Sequence, residues 1–180
     1  SGNAVLAFTT ASELPANGKV VVTFPAGFGF TGTPVASSAS DIDGTFATTV
    51  AGQVVTITRG QNDGTDEAAG PITDLTLSNI KNPGVSGNTG TFTITTTDSS
   101  GATIDTNADV NSVRITGLIS SATITPASLV AGASGNAVLA FTTASELPAN
   151  GKVVVTFPAG FGFTGTPVAS SASDIDGTFA

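Results

Sequence analysis

The chain has 180 residues, of which only 10% are charged, and its formal net charge is −8. It contains no Cys, His, Met, Trp or Tyr, which excludes disulfides, thiolate metal sites and catalysis by the usual base or thiol nucleophile. The five basic residues are scattered, which argues against binding to nucleic acid or to an anionic membrane. No apolar stretch approaches the roughly 20 residues that span a bilayer, so membrane insertion is not expected.

Short strands separated by turn residues are predicted along the chain, and no segment has helical periodicity. Alternation over 4–9 predicts the first strand, and a turn at Asn17-Gly18 precedes a second strand at 19–24, buried on both faces. Two further strands flank the turn pair Ala51-Gly52 and form a predicted hairpin. The remaining predicted strands, including the two of this hairpin, are 45–50, 53–59, 72–78, 91–97, 112–116 and 122–125.

The strand at 91–97 predicts a sheet with one solvated face. Phe92 and Ile94 point to one side and the threonines at 91, 93, 95 and 97 to the other. This alternation is typical of an antiparallel sheet that packs on a core with one face only. With about eight short strands between turn residues, the predicted fold class is all-β, an antiparallel β-sandwich.

A long exact repeat dominates the organisation of the chain. Residues 1–47 recur letter for letter as residues 134–180, which predicts a tandem array with a period of about 133 residues. We expect 1–119 to be a β-sandwich repeat without its first strand. Residues 120–180 are then the first strand and the N-terminal part of the next identical repeat. The strand expected before residue 1, equivalent to 122–130, would come from a preceding repeat or from a neighbouring chain as a donor strand.

Several strand-like segments resemble known repeats. The opening of each period resembles immunoglobulin-like repeats of large microbial extracellular surface proteins, in the run SATITPASLVAGASGNAVLAFTTASELPANGKVVVTFPAGF. VVTITR, LTLSNIKNP and GTFTITTTDSSGATID resemble later strands of such repeats. The resemblance implies an immunoglobulin-like fold and a secreted, cell-surface or filament-forming module, as in adhesin stalks and pilus-like fibres. It brings no catalytic residues.

Two segments are candidates for the junction between repeats. The first is the predicted leading strand and the residues after it, with Gly117, Gly132 and Gly135 as bends; its candidate contacts are Ser121, Ile124, Pro126, Leu129 and Val130. The second is TFPAGFGF, in which Phe28 and Phe30 are interpreted first as core and rim packing. The alternative is that they contact the next subunit, since large apolar side chains are typical anchors.

The densest carboxylates lie in two turn-like segments. Asp41 and Asp43 belong to DIDG, and Asp63, Asp66 and Glu67 belong to NDGTDE. They are weak candidates for Ca²⁺, which prefers oxygen ligands, but their spacing matches no complete calcium loop. Solvated turn acids are the preferred interpretation, so no cofactor is expected, and the same location argues against a glycosidase pair.

The hydroxyl-rich segment near residue 97 offers candidates for O-glycosylation, namely Thr95, Thr96, Thr97, Ser99 and Ser100. No Asn-x-Ser/Thr sequon occurs. The leading hypothesis is a non-enzymatic structural subunit of an extracellular filament or cell-surface stalk, whose partners are identical repeats. The alternative is an adhesin repeat that binds a glycan or a host surface; the absence of Trp and Tyr, the usual sugar-stacking side chains, weighs against it.

Overall fold

The computed structural model describes residues 2–60, 63–172 and 174–175. All regular secondary structure in these residues is β, and every strand pair is antiparallel, so the predicted all-β class is confirmed. The chain forms two compact units, with the division after Gly117. In the described residues there is no helix long and apolar enough to pass through a membrane.

The first unit contains eleven strands in its described part. In chain order they are β1 (Gly2–Thr9), β2 (Lys19–Thr23), β3 (Gly29–Phe30), β4 (Ala36–Ser37), β5 (Phe46–Ala51), β6 (Val54–Arg59), β7 (Pro71–Lys81), β8 (Gly87–Asn88), β9 (Phe92–Thr97), β10 (Thr103–Val110) and β11 (Arg114–Ile115).

Two larger sheets organise these strands. One has four strands in the order β1-β7-β3, with β4 also paired to β7, and the other has five in the order β10-β9-β2-β6-β5. β8 and β11 form a small separate pair. The predicted β5–β6 hairpin forms, but its turn residues are Gly52 and Gln53, one position later than predicted, since Ala51 still pairs with Val54. Gly52 adopts a φ of 60°, a conformation that glycine takes without steric cost.

Both larger sheets contribute side chains to one hydrophobic core, which is consistent with a β-sandwich. The four-stranded sheet provides Leu6, Ile72, Leu75, Leu77 and Ile80, and the five-stranded sheet provides Val20, Val22, Val55, Ile57 and Ile94. Phe24 sits at one end of this core, with ring centroids 5.5 Å from Phe28 and 5.6 Å from Phe92. These separations are those of attractive aromatic pairs.

The turn before β2 depends on close packing rather than on an unusual backbone angle. Its N–H···O bond runs from Gly18 to the Pro15 carbonyl at 2.8 Å. A Cβ at position 18 would lie 2.9 Å from both Leu14 Cδ1 and the Thr97 carbonyl oxygen. Glycine is therefore required here because two neighbours occupy the space of a side chain.

Strand β10 was not predicted. Its sequence, TIDTNADV, is polar and mostly exposed, and among the described strands it pairs only with β9. An edge strand with one exposed face lacks the hydrophobic pattern on which sequence prediction depends. The strand predicted at 112–116 is reduced to the two residues of β11.

In the described part of the second unit, two strands form one antiparallel pair, β12 (Ile119–Pro126) and β13 (Ala137–Thr143). Residues 152–156 have the same sequence as β2 but are not a strand. Val20 is 1% exposed in β2, whereas its recurrence Val153 is 45% exposed. β2 lies between β6 and β9, and no strand flanks 152–156 in the described residues. Pairing with neighbouring strands therefore decides whether this sequence forms a strand. Residues 173 and 176–180, part of the predicted second repeat, lie outside the described residues.

Candidate assembly interface

β1 forms one edge of the four-stranded sheet. Among the described residues its strand partner is β7, in a register that places Leu6 opposite Leu75 and Phe8 opposite Ile72. The other edge of β1 has no partner strand in this part of the chain. An unpaired edge presents free backbone N–H and C=O groups and is therefore a template for a further strand. We call this the free edge of β1.

The hydrogen bonds of β1 show which residues face its free edge. Thr10 donates its N–H to the Gly70 carbonyl at 2.9 Å, on the β7 side. Successive residues of a strand direct their backbone groups alternately to its two edges, and both register shifts place the extra residue on β7. The odd-numbered residues from 3 to 9 therefore face the free edge. Beyond the strand, the N–H of Ala11 donates to the Asp105 carboxylate at 3.2 Å.

In the second unit the corresponding edge is occupied. β13 repeats the sequence of residues 4–10, and β12 lies beside it. Ala144, the recurrence of Ala11, donates its N–H to the Leu118 carbonyl at 3.0 Å. Asn136, the recurrence of Asn3, accepts from the Ala127 N–H at 2.8 Å. Since these are odd-numbered positions in the first copy, β12 occupies the edge of β13 that is free on β1.

The register shows which side chains of β12 face a core. Ile124 lies opposite Leu139, and Ile119 opposite Thr143; the first-copy recurrences of these partners, Leu6 and Thr10, are 8% and 5% exposed. Directly opposite residues of an antiparallel pair lie on the same face. Ile119 and Ile124 therefore lie on the core-facing side of β12. Pro126, opposite the recurrence of Ala4, lies on the same side.

Thr125 lies on the opposite side of β12. Its partner is Val138, and the first-copy recurrence of Val138 is Val5, which is 63% exposed. β12 therefore has an apolar face and a polar face. In the second unit the apolar face is not covered by the described residues: Ile119 remains 60% and Ile124 45% exposed.

The other predicted junction residues of this segment occupy different positions. Ser121 is in the bulge of β12, where the register shifts, and has a φ of 52°. Leu129 and Val130 follow the strand and are 91% and 74% exposed. Gly132 provides the predicted bend with a φ of 75°. The structure thus places Ile124 and Pro126 on the core-facing side of β12, and Leu129 and Val130 in the exposed loop after β12.

The predicted aromatic contacts in the first unit are internal. Phe28 is 7% exposed and packs on Phe24 and Phe92. The first interpretation, a core residue, therefore describes it, and the alternative that it contacts a neighbouring subunit does not. Phe30 is half-buried against the same core, with its ring centroid 5.6 Å from that of Phe24. Their recurrences Phe161 and Phe163 are 55% and 60% exposed.

A buried arginine joins three loops of the first unit, and no sequence motif indicates this role. Arg59, at the end of β6, is 1% exposed. Its guanidinium donates to the carbonyls of Leu14 and Pro15 at 2.9 Å each and to the Thr65 carbonyl at 2.7 Å. It also forms an ion pair with Asp43 at 2.8 Å. The planar fork of arginine suits several acceptors at once, and here it replaces the cross-links that cysteines would provide.

The acidic residues of the DIDG segment act as loop clamps. Asp43 accepts from both the N–H and the hydroxyl of Thr65, and these hydrogen bonds, followed by the nearby Arg59, lower its pKa. Asp41 accepts from the N–H and hydroxyl of Thr73, which lowers its pKa in the same way. Hydrogen bonds to the ionised carboxylate favour the charged form. Both residues therefore connect the 41–43 loop to other segments.

Asp74, a residue of β7, binds the segment just before the 41–43 loop. It accepts from the hydroxyl of Ser38 at 2.5 Å and from the N–H groups of Ala39 and Ser40 at 2.9 and 2.6 Å. The Ser38 hydrogen bond is the main cause that lowers the pKa of Asp74 to about 2, with those of Ser40 and Ala39 adding to it.

The second acidic segment is similarly engaged with the backbone. Asp66 accepts from the N–H of Ala16 at 2.8 Å, Glu67 forms a backbone bridge with Leu14, and the Asp63 carboxylate lies against Gly60. No group of three or more acidic side chains suited to a metal ion occurs in the described residues. The structure therefore assigns the carboxylates with hydrogen-bonding partners to loop anchoring.

The candidate glycosylation sites divide into buried and exposed positions. Thr96 and Thr97 are 2% and 5% exposed, which corrects their assignment as glycosylation sites and also the prediction that Thr97 lies on a solvated face. Thr95 is half-buried and its hydroxyl pairs with that of Thr106 at 2.9 Å. Ser99 and Ser100 are exposed in the turn after β9, so they are the accessible hydroxyls of the set.

A cleft of about 150 Å³ is lined by Gly27, Pro83, Ser86, Asn88 and Ile115, among others, and its lining contains no ionisable side chain. Its Ser86 and Thr89 hydroxyls therefore have no acid or base beside them in that lining. Comparison with known proteins found no matching family model, no matching curated protein and no matching solved structure. The free edge of β1 and the strand β12 are therefore the features of the described residues that bear on function.

Proposed function

We propose that this protein is a non-enzymatic structural subunit of an extracellular filament or cell-surface stalk. Identical immunoglobulin-like β-sandwich repeats of about 133 residues are joined end to end, and neighbouring repeats share strands at their junctions. The partner of each repeat is another identical repeat.

The observation that carries this proposal is the relation between β1 and β13. Residues 4–10, which include most of β1, are identical in sequence to β13. Among the described residues β1 has an unpaired edge, whereas β13 has β12 on that same edge. A strand equivalent to β12, placed beside β1, extends its sheet and brings apolar side chains over a core that is already formed. When an identical repeat supplies that strand, each repeat completes its fold only by contact with a neighbouring repeat.

Composition supports a durable extracellular module. The chain lacks Cys, Met, Trp and Tyr, so it has almost no easily oxidised side chain. Without disulfides, the loops of the first unit are held by Arg59 and by the clamps of Asp41, Asp43 and Asp74. Such internal cross-links suit a module that carries load.

Negative-stain electron microscopy of the purified chain at increasing concentration tests the proposal. We expect regular fibres with an axial repeat of one β-sandwich. The variant Ile124→Asp, which puts a charge on the core-facing side of β12, should abolish them. Thr125→Asp is the matched control because it puts the same charge on the solvent-facing side, and it should still form fibres. Folded but isolated particles at every concentration would contradict the proposal.

A further inference from the structure

We infer that the free edge of β1 is a docking site for residues 119–126 of a second copy of this chain. The strand docks antiparallel to β1, in the register that β12 has with β13. Ile124 then lies opposite Leu6, and Thr125 opposite Val5. This inference rests on the proposed function and specifies its contact surface, its occupant and its polarity.

The occupant is indicated by sequence identity. Residues 4–10 and 137–143 are the same seven residues, so any strand that fits the edge of β13 meets the same side chains and the same backbone groups on β1. β12 fits that edge over six residue pairs, from Ile119 to Pro126. The chain therefore contains both a donor strand and an acceptor edge of matching sequence.

The acceptor edge of β1 is the better partner for β12. In the second unit, the described strands form only a two-stranded ribbon, in which Leu139 is 39% exposed. An isolated two-stranded ribbon is marginally stable at best in water. Leu6, the recurrence of Leu139, is 8% exposed in a core closed by a second sheet. Phe8 of β1 is only partly buried against that core, so an added strand has an apolar neighbour on β1 itself.

The polarity of this contact produces an open polymer. The donor strand and the acceptor edge are different surfaces of one chain, so each copy that receives a strand can give one to another copy. Such a head-to-tail contact is heterologous, and it forms a filament unless the rotation between copies closes a ring. β13 of the same chain and β1 of a second copy then compete for β12, and this competition controls assembly.

Disulfide trapping tests the register, because the chain has no natural cysteine. Two variants, Val5→Cys and Thr125→Cys, are mixed under mild oxidation. In the inferred register their Cα atoms are about 5.5 Å apart, within the range of a disulfide. Thr9→Cys mixed with Thr125→Cys is the matched control, since Thr9 lies about 13 Å further along the strand. We expect at least tenfold more heterodimer from the first mixture, with each variant alone as the background.

A pair of proline variants tests the edge itself. Val5 and Val138 are the same residue in the two copies, and both direct their N–H to the edge in question. Val5→Pro removes no hydrogen bond within the first unit but blocks strand addition, so fibres should be lost. Val138→Pro weakens the pairing of β12 with β13 and leaves β1 intact, so fibres should be retained.

The outcomes separate this inference from the proposed function. Equal yields from the two cysteine mixtures overturn the inference, and so does unchanged assembly of Val5→Pro. Fibres that form without the in-register disulfide overturn the docking register but leave the filament proposal standing. The in-register disulfide without fibres supports the docking site and contradicts the filament proposal.

Discussion

Replacing Arg59 by methionine should destabilise the first unit by about 3 kcal/mol. The side chain is 1% exposed and donates to three backbone carbonyls, and hydrogen bonds that involve a charged group contribute about 1.5–3 kcal/mol each. The carbonyls of Leu14 and Pro15 keep a second donor, the N–H groups of Glu67 and Gly18. The Thr65 carbonyl loses its partner.

One feature of the wild type reduces the loss. The Nε of Arg59 is buried and has no hydrogen-bond partner among the described residues, and its desolvation cost disappears in the methionine variant. Asp43, the ion-pair partner of Arg59, is 50% exposed and is therefore solvated in the variant. The expected total thus stays near about 3 kcal/mol, below the sum of the lost charged hydrogen bonds. Arg59→Lys keeps the charge but has no planar fork, so it should lose about half as much.

Urea unfolding followed by far-ultraviolet circular dichroism measures this effect, since the chain has no Trp or Tyr for fluorescence. Arg114→Met is the matched control because Arg114 is the other arginine of the chain and is exposed; it should change stability by less than about 0.5 kcal/mol. If Arg59→Met and Arg114→Met have the same small effect, the assignment of Arg59 as the clamp of these loops is wrong.

Three further predictions concern other positions. Gly18→Ala should lower the stability of the first unit by about 1–3 kcal/mol because its Cβ meets Leu14 and Thr97, whereas Gly84→Ala, with open space around it, should be nearly neutral in the same urea assay. Val20→Ala should cost about 2 kcal/mol and Val153→Ala less than about 0.5, since the first is buried and the second exposed; equal losses would contradict the different environments of the two copies. Asp74 has a pKa of about 2, below its ordinary value of 3.8, so its contribution is complete above pH 3.8 and is lost as the pH falls toward 2. Urea midpoints measured from pH 6 to pH 2 should therefore fall between pH 3.8 and pH 2 in the wild type, and they should fall less in Asp74→Asn. Parallel midpoint curves for the two proteins would refute the assignment of Asp74 as an ionised loop anchor.

Much of the local structure could be predicted because it depends on neighbouring residues in sequence. A turn signal between two strand-like runs predicts the hairpin of β5 and β6, and the observed turn lies only one residue away, at Gly52 and Gln53. The aromatic cluster is also local: the Phe24–Phe28 ring distance of 5.5 Å recurs as 5.6 Å between Phe157 and Phe161. Aromatic pairs that are separated by a short glycine-containing bend form whether or not the rest of the sandwich is present.

Other features depend on partners that are distant in sequence and could not be predicted. The same letters form β2 at 19–23 and no strand at 152–156, because β2 needs pairing on both of its edges. In the sequence, Arg59 is one of a few scattered charges. Its role as a buried link could not be predicted because its four acceptors lie on segments 6 to 45 residues away. The sequence allows Phe28 to be a core or a junction residue, and its contact with Phe92, which is distant in sequence, decides between them.

A density map of the assembled filament by cryo-electron microscopy tests the central claim most directly. We predict an additional strand along the free edge of β1, antiparallel to it, with the side chain of Ile124 beside that of Leu6 and Thr125 facing solvent opposite Val5. The four-stranded sheet of each repeat then has five strands. A filament in which the edge of β1 faces solvent, or is covered by any other segment, would contradict the claim.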